Sequence, residues 1–185
     1  MQELVRVAVD AMGGDYAPLE IVKGAVDAVN SRDDIKVFLV GREEAVRAEL
    51  QKYQYDASRI EVVNAAEVIE MAEPPVQAIR SKKDSSIVVA MKMVKNGEAD
   101  AFVGAGSTGA VLVGGQLIVG RIKGVERPPL APLLPTEKGA SLLIDCGANV
   151  DARPSHLVQF AKMGSIYMEH VVGISHPRVA IVNIG

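Results

Sequence analysis

The sequence predicts an α/β fold in which a mostly parallel, doubly wound, Rossmann-like sheet carries helices on both faces. Short runs rich in Val and Ile recur along the chain, and they are continuous rather than alternating, which is typical of strands covered on both faces. Helix-like segments separate most of these runs, so the order of elements favours βαβ units with right-handed crossovers. With 185 residues, 49% hydrophobic and 23% charged, one folded domain spanning 1–185 is expected.

The elements follow from local signals along the chain. The predicted strands are the six Val- and Ile-rich runs 5–9, 35–40, 60–63, 101–103, 141–144 and 179–182. One helix begins at Pro18, which favours a first helical position, and a second covers about 43–52. A third has Ser85 or Ser86 as N-cap and ends at Asn96-Gly97, and a long one covers 154–172.

Residues 101–120 contain no charged side chain over twenty positions, which is the length of a membrane span. Six of the twenty are Gly, with Ser107 and Thr108 among them, so the segment is predicted to divide into a strand, a Gly-rich turn and a buried helix. The sequence also contains no Trp and few other aromatic residues for an interfacial belt. We therefore reject a transmembrane helix and leave peripheral membrane contact open.

Three stretches break the alternation of strands and helices. The Pro-containing segments 71–84 and 121–138 are interpreted as functional excursions or docking loops. Residues 181–185 end the sequence on a strand-like run without a following helix. We therefore expect either the first part of a longer protein or a last turn that a partner chain supplies.

Charge and cysteine content exclude several classes. Lys and Arg number 20 against 23 Asp and Glu, so the net charge of −3 lacks the basic excess of a nucleic-acid-binding domain. A single Cys cannot form an internal disulfide, and the first residues show neither a basic nor an apolar signal region. These features predict a cytoplasmic protein.

Ligands of open α/β sheets bind beyond the carboxyl ends of the strands, and small polar residues follow several predicted strands here. Asp10 and Asp15 flank Gly13-Gly14 after the first strand, and Asn149 follows the fifth. The two carboxylates are interpreted as a metal pair, as an acid/base pair or as caps of the following helix. Their five-residue separation fixes no distance, so these readings remain open.

The fourth strand leads into Gly104, Gly106, Ser107, Thr108 and Gly109, which match the G-x-G-x-x-G dinucleotide fingerprint. The acidic ribose partner expected about 20 positions later would be Glu126, which lies beside Pro128-Pro129 rather than at a strand end. A Gly-Ser-Thr turn before a helix is also a favourable seat for phosphate, because N–H donors and the helix dipole converge there. The third alternative is a tight turn that only packs the helix on the strand.

Other reactive side chains are ambiguous. Cys146 follows the fifth strand, but no His lies near it in sequence, so a buried inert thiol is favoured over a nucleophile. The three His residues lack metal-ligand spacing and are interpreted as solvated or core residues. Arg80, Lys82 and Lys83 form either a solvated face or a docking patch for an acidic partner.

The longest motifs together resemble the bacterial phosphate acyltransferases of phospholipid synthesis, the acyl-[acyl-carrier-protein]:phosphate acyltransferases. The stretches that carry the resemblance are VAVDAMGGDYAP (7–18), IEMAEPP (69–75), RSKKDSS (80–86), AFVGAGSTGA (101–110), ERPPLAPLLP (126–135) and DCGANV (145–150). They span nearly the whole sequence in order. Members of that family extend well beyond 185 residues.

The resemblance implies a fold similar to phosphotransacetylases and to isocitrate and isopropylmalate dehydrogenases. It implies synthesis of long-chain acyl phosphate from acyl carrier protein thioester and inorganic phosphate, without a metal or an organic cofactor. On this basis residues 104–109 bind phosphate, Asp10, Asp15 and Asn149 order the catalytic rim, and Arg80, Lys82 and Lys83 receive the carrier protein. A homodimer is expected, as is peripheral association at the membrane with the downstream glycerol-phosphate acyltransferase. The competing hypotheses are an NAD-linked hydroxyacid dehydrogenase and a non-catalytic acyl- or carrier-protein-binding module.

Overall fold

The computed structural model describes residues 4–183, which form two compact units, Met1–Gly120 and Arg121–Gly185. The expectation of one domain over 1–185 stays a prediction. The elements of the first unit are β1 (Val5–Asp10), α1 (Leu19–Ser31), β2 (Ile35–Gly41), α2 (Glu43–Leu50), β3 (Ile60–Asn64), α3 (Pro75–Ser81), α4 (Ser86–Lys95), β4 (Ala101–Val103), α5 (Thr108–Gly114) and a π-helical turn (Gly115–Val119). Those of the second are β5 (Leu133–Thr136), β6 (Gly139–Leu142) and α6 (Pro154–His170).

The first unit is built on a four-stranded parallel sheet with the strand order β3-β2-β1-β4. In the register of this sheet Val7 lies beside Val37 on one side and beside Ala101 on the other. The four predicted strands of this unit are thus confirmed, each within one residue. Since the strands are parallel, all their carboxyl ends lie at one edge.

Helices cover both faces of this sheet, as predicted. Alternate residues of β2 point to opposite sides: Val37 and Leu39 pack with α1 and α2, whereas Phe38 and Val40 pack with α4. A third apolar cluster joins α3, α4 and α5 through Ile79, Met91 and Ala110, among others. The continuous apolar runs in the sequence therefore reflect burial on two faces, which confirms the doubly wound class.

The uncharged stretch 101–120 divides into β4, a turn, α5 and a π-helical turn, as predicted. Gly114 packs where a Cβ would lie 2.4 Å from the Met91 sulfur, so this helix approaches α4 closely. Within the part of the chain that the structure describes, no helix is both long and apolar enough to cross a bilayer.

The prediction of a loop over 71–84 is wrong, because the segment contains α3. Pro75 is the first residue of this helix, a position where its missing N–H costs no hydrogen bond. Ala78 and Ile79 are buried against α4 and α5. The Pro pair therefore begins a short helix that packs on the first unit.

In the second unit, the predicted strand 141–144 is displaced and antiparallel. Gly139 adopts a φ of +136° and closes a turn, after which 139–142 pair with 133–136. Since turn chemistry favours local pairing, this stretch forms a hairpin with a segment that we expected to be a loop. Pro135 is tolerated there because both strands of a two-stranded sheet are edges.

The predicted strand 179–182 is also wrong. No strand pairs with this stretch within residues 4–183, and Ile181 is 74% exposed. A strand needs a ladder of hydrogen bonds to a neighbour, which apolar composition alone does not supply. Residues 184–185 of the predicted strand end lie outside the described residues.

Candidate functional site

Asp10 lies at the carboxyl end of the central strand β1 and is only 1% exposed. Its Oδ1 accepts a hydrogen bond from the Met12 N–H at 3.0 Å. Ser86, the first residue of α4, presents a hydroxyl to the same carboxylate. Burial raises the pKa of Asp10, and the hydrogen bonds from Ser86, Met12 and Gly13 only partly offset this by favouring the ionised form. Asp10 is thus a buried acid that contacts the loop after β1 and the loop after β4.

The loop after β1 and the loop after β4 contact each other at Gly13 and Gly106. A Cβ on Gly13 would lie 2.4 Å from Asp10 Oδ2 and 2.9 Å from the Gly106 nitrogen, and one on Gly106 would lie 3.1 Å from the Gly13 Cα. Only residues without a side chain allow backbones to approach so closely. The loop after β1 and the loop after β4 are therefore packed against each other with Asp10 beneath the contact.

Asp15 has a different environment from Asp10, because its side chain is exposed. The N-cap of α1 is Pro18, and Asp15 does not serve as the cap that we considered. One of the two carboxylates is therefore buried and the other exposed, and their pairing in one site stays a prediction. Within residues 4–183, no three His, Cys, Asp or Glu side chains converge to hold a metal ion.

The Gly-rich turn after β4 exposes some groups and buries others. Gly104 and Thr108 are exposed, whereas Ser107 is buried at 4% exposure and accepts a hydrogen bond from the Ala110 N–H at 3.3 Å. Ser107 thus caps α5, and Thr108 carries the accessible hydroxyl. A Cβ on Gly109 would lie 2.6 Å from Pro75 Cγ, so this glycine serves the packing of α5 on α3.

The dinucleotide interpretation conflicts with this geometry. In that fingerprint the second glycine lets the backbone approach the pyrophosphate. Here the corresponding Gly106 faces the Gly13 backbone, and the space that a ligand would need is filled by the loop after β1. Glu126, the expected ribose partner, lies 3.1 Å from His156 Nε2 through its Oε2.

The basic residues at the C-terminal end of α3 are less accessible to a binding partner than the sequence suggests. Lys82 Nζ donates to Glu73 at 2.5 Å and to the Val68 carbonyl at 2.6 Å, and its side chain is only partly exposed. Arg80 and Lys83 are exposed, with Lys83 Nζ donating to the Ile79 carbonyl at 3.2 Å. Of the three predicted docking residues, two face solvent and one fixes the chain locally.

In the second unit Asn149 belongs to a loop that Asp145 organises. The Asp145 carboxylate accepts hydrogen bonds from the N–H groups of Leu130 at 2.6 Å and Asn149 at 2.7 Å, and the Asn149 amide donates to the Pro128 carbonyl at 3.2 Å. These bonds join the motifs 126–135 and 145–150. Cys146 contributes its backbone N–H to the Leu130 carbonyl at 2.8 Å. Asp145 accepts the hydrogen bonds that order this loop. The sequence did not identify it as a candidate functional residue.

Residues in the first turns of α6 bind the start of the motif 126–135. Gln159 accepts from the Glu126 N–H at 2.9 Å and donates to the Gly124 carbonyl at 3.1 Å. The buried His156 accepts from the Arg153 N–H through Nδ1, and its Nε2 lies 3.1 Å from Glu126 Oε2. His156 is therefore a core residue, which is one of the two alternatives that the sequence left open. Its partner could not be foreseen, because 30 residues separate the two.

Comparisons with known proteins agree with this architecture. The chain is 51% identical over 181 residues to a protein from Clostridium novyi (strain NT) named phosphate acyltransferase, covering 98% of this chain and 54% of that protein. It is 54% identical over 182 residues to the phosphate acyltransferase of Syntrophomonas wolfei subsp. wolfei, covering 98% and 57%. The chain thus spans about half the length of the curated relatives it matches.

Solved structures show the same fold at low identity. A phosphotransacetylase from Streptococcus pyogenes superposes with a TM-score of 0.68 at 18% identity, covering 92% of this chain and 55% of that one. The EutD phosphotransacetylase from Staphylococcus aureus gives a TM-score of 0.60 at 22% identity, covering 85% and 51%. These likenesses confirm the predicted fold class. The family model described as "Fatty acid synthesis protein" matches residues 5–185, and with the relatives above it shows that the chain belongs to this family of phosphate acyltransferase-like proteins.

Proposed function

We propose that the protein transfers a long-chain acyl group from acyl carrier protein to inorganic phosphate and so forms acyl phosphate for phospholipid synthesis. The observation that carries the proposal is the exposed Gly-rich turn after β4, in a chain whose relatives at about half identity are named phosphate acyltransferases. Such a turn offers backbone N–H donors at a helix start, which suits a phosphate. No side-chain nucleophile is needed, because phosphate itself attacks.

In the proposed reaction a phosphate oxygen attacks the thioester carbonyl carbon, the C–S bond breaks, and the thiolate of the carrier's pantetheine arm leaves. The chain must hold the phosphate and stabilise the oxyanion. The exposed Gly104 backbone and the Thr108 hydroxyl are the phosphate-binding groups of this proposal. Ser107 and Gly109 shape the turn, by capping α5 and by packing on Pro75.

Asp10 is assigned a supporting role. It is buried beneath the contact of Gly13 with Gly106, so it sets the relative position of the two loops at the edge of the sheet. The predicted roles of Asp15 and Asn149 remain part of the proposal, each within its own unit. Asp15 is exposed at the same edge of the first unit as the turn, and Asn149 lies in the loop that Asp145 orders.

The remaining parts of the proposal follow from the resemblance alone. They are an acidic carrier protein received by Arg80 and Lys83, a homodimer, and peripheral association at the cytoplasmic membrane surface with the glycerol-phosphate acyltransferase that consumes acyl phosphate. We do not include Lys82 among the docking residues, because its side chain pairs with Glu73.

The experiment incubates full-length protein with acyl carrier protein thioester and phosphate, and traps acyl phosphate with hydroxylamine. Formation of acyl hydroxamate that depends on both phosphate and protein supports the transferase. Thioester binding without hydroxamate would instead support the non-catalytic binding module. Protection against heating by nicotinamide dinucleotide, with no hydroxamate, would support the dehydrogenase.

Thr108→Val tests the phosphate site within the same assay. The substitution removes an exposed hydroxyl at nearly constant volume, so the fold is retained. We expect the KM for phosphate to rise about tenfold while the KM for the acyl donor stays unchanged. Equal KM values for phosphate in variant and parent would remove Thr108 from the site.

A further inference from the structure

The segment Gly124–Leu130 of the second unit is held by side chains from two directions. From α6, Gln159 bonds the Gly124 carbonyl and the Glu126 N–H, and His156 approaches the Glu126 carboxylate. From the loop after β6, Asn149 bonds the Pro128 carbonyl and Asp145 bonds the Leu130 N–H. The backbone on both sides of position 127 is therefore fixed by hydrogen bonds.

Proline restricts the same stretch further. Pro128 and Pro129 each lock their own φ near −65°. A residue that precedes proline is also excluded from most of the helical region, which applies to Arg127. Three consecutive residues thus have little backbone freedom, and the direction in which the Arg127 side chain leaves the chain is fixed in advance.

Arg127 differs from the charged groups around it. Glu126 is engaged by His156 through its carboxylate, and the Arg121 guanidinium donates to the Glu126 carbonyl. Arg127 is exposed, and within residues 4–183 its guanidinium forms no ion pair or hydrogen bond with another side chain or carbonyl. The hydrogen bonds that hold this segment thus lie on both sides of a cation that has no partner among the described residues.

We propose that Arg127 binds a phosphate group of the substrates. A guanidinium presents planar paired N–H donors that match two phosphate oxygens, and a fixed backbone lowers the entropy lost on binding. The inference rests on the proposed function, which supplies two sources of this group. One is inorganic phosphate, and the other is the phosphodiester of the carrier's phosphopantetheine arm.

The test compares Arg127→Gln and Arg127→Lys with Lys138→Gln in the full-length protein. Lys138 is a matched control, because it is also exposed, lies in the β5–β6 turn of the same unit and has no ion pair or hydrogen bond to its side chain within residues 4–183. Each enzyme is assayed with acyl-phosphopantetheine and with acyl-pantetheine, which lacks the phosphate. The readouts are kcat, the KM for inorganic phosphate and the KM for each donor.

If Arg127 contacts inorganic phosphate, Arg127→Gln raises the KM for phosphate about tenfold with both donors, and kcat changes less. If it contacts the arm, the KM rises only for acyl-phosphopantetheine. The affected KM of Arg127→Lys lies between those of Arg127→Gln and the parent, because Lys keeps the positive charge and loses the paired N–H donors. The inference would be overturned if Arg127→Gln and Lys138→Gln had equal KM values for phosphate and for both donors.

Binding measurements separate this inference from the proposed function. Phosphorus NMR line broadening reports binding of inorganic phosphate and of phosphopantetheine without turnover. If the parent protein forms no acyl phosphate, the proposed function fails and the binding data alone decide the role of Arg127. Equal binding of both phosphates by Arg127→Gln and Lys138→Gln then refutes it, and weaker binding of either one by Arg127→Gln supports it.

Discussion

Replacing Gly13 by Ala tests the contact on which the carboxyl edge of the first unit depends. The added methyl group would lie 2.4 Å from Asp10 Oδ2, 2.9 Å from the Gly106 nitrogen and 3.0 Å from the Gly106 Cα. Two of these three atoms are backbone and cannot rotate away. The loops after β1 and β4 must therefore separate, and the Asp10 carboxylate must move as well.

The expected cost has two parts. Overpacking against fixed backbone typically costs about 1–3 kcal/mol. A displaced Asp10 carboxylate also loses the hydrogen bond from Met12, which is worth about 1 kcal/mol. Gly13→Ala should therefore lower the free energy of unfolding by about 2–4 kcal/mol, which a domain of ordinary stability survives.

Gly24→Ala is the matched control, because the same methyl group at Gly24 meets nothing within 4 Å. Gly24 lies inside α1, where Ala is favoured over Gly by about 0.5–1 kcal/mol, so this variant should be stabilised. Urea unfolding followed by circular dichroism measures both changes. Equal stability of Gly13→Ala and the parent would show that the two loops do not depend on close backbone contact.

Four further predictions concern charged side chains and the thiol of Cys146. Asp10→Asn should become more stable relative to the parent as the pH rises from 4 to 7. Burial raises the pKa of Asp10, so ionisation of this carboxyl at higher pH destabilises the folded parent, and the Asn variant lacks this effect. Urea unfolding midpoints at both pH values measure the change, and a constant difference between variant and parent contradicts it. Cys146→Ala should retain kcat within about twofold, because within residues 4–183 the hydrogen bond of Cys146 comes from its backbone N–H and no base is bonded to the thiol. A trapped acyl-cysteine in the parent would overturn this. Arg80→Glu with Lys83→Glu should lower kcat/KM for acyl carrier protein about tenfold, chiefly at low salt, and leave an uncharged acyl-pantetheine donor unaffected. Lys82→Gln should instead lower the melting temperature, because it breaks the pair with Glu73.

The fold of the first unit could be predicted because its determinants are local. Each strand of the parallel sheet is a continuous apolar run, and Pro18, Ser85 and Asn96-Gly97 mark helix ends close to the observed ones. The prediction failed where partners decide the structure. Residues 139–142 form a hairpin because Gly139 closes a turn, and 179–182 form no strand because no neighbour pairs with them within the described residues.

The sequence could predict which residues lie at the candidate site, but not which side chains pair with one another. Parallel topology correctly places Asp10, Gly13 and the turn 104–109 at one edge of the sheet. Sequence spacing gave no indication that Lys82 pairs with Glu73 or that His156 faces Glu126. Both pairs depend on how a helix docks on a loop, and that packing is set by residues elsewhere in the chain.

The match to the dinucleotide fingerprint has a structural explanation in this chain. All three glycines of the pattern have protein atoms where a Cβ would lie: the Phe102 ring at Gly104, the Gly13 backbone at Gly106 and Pro75 at Gly109. A short strand that turns directly into a helix needs such close approaches whichever ligand it serves. The spacing of the glycines therefore reports the tight β4–α5 junction. The ligand has to be inferred from the groups that remain accessible, which here are the Gly104 backbone and the Thr108 hydroxyl, and these suit a small anion better than a dinucleotide.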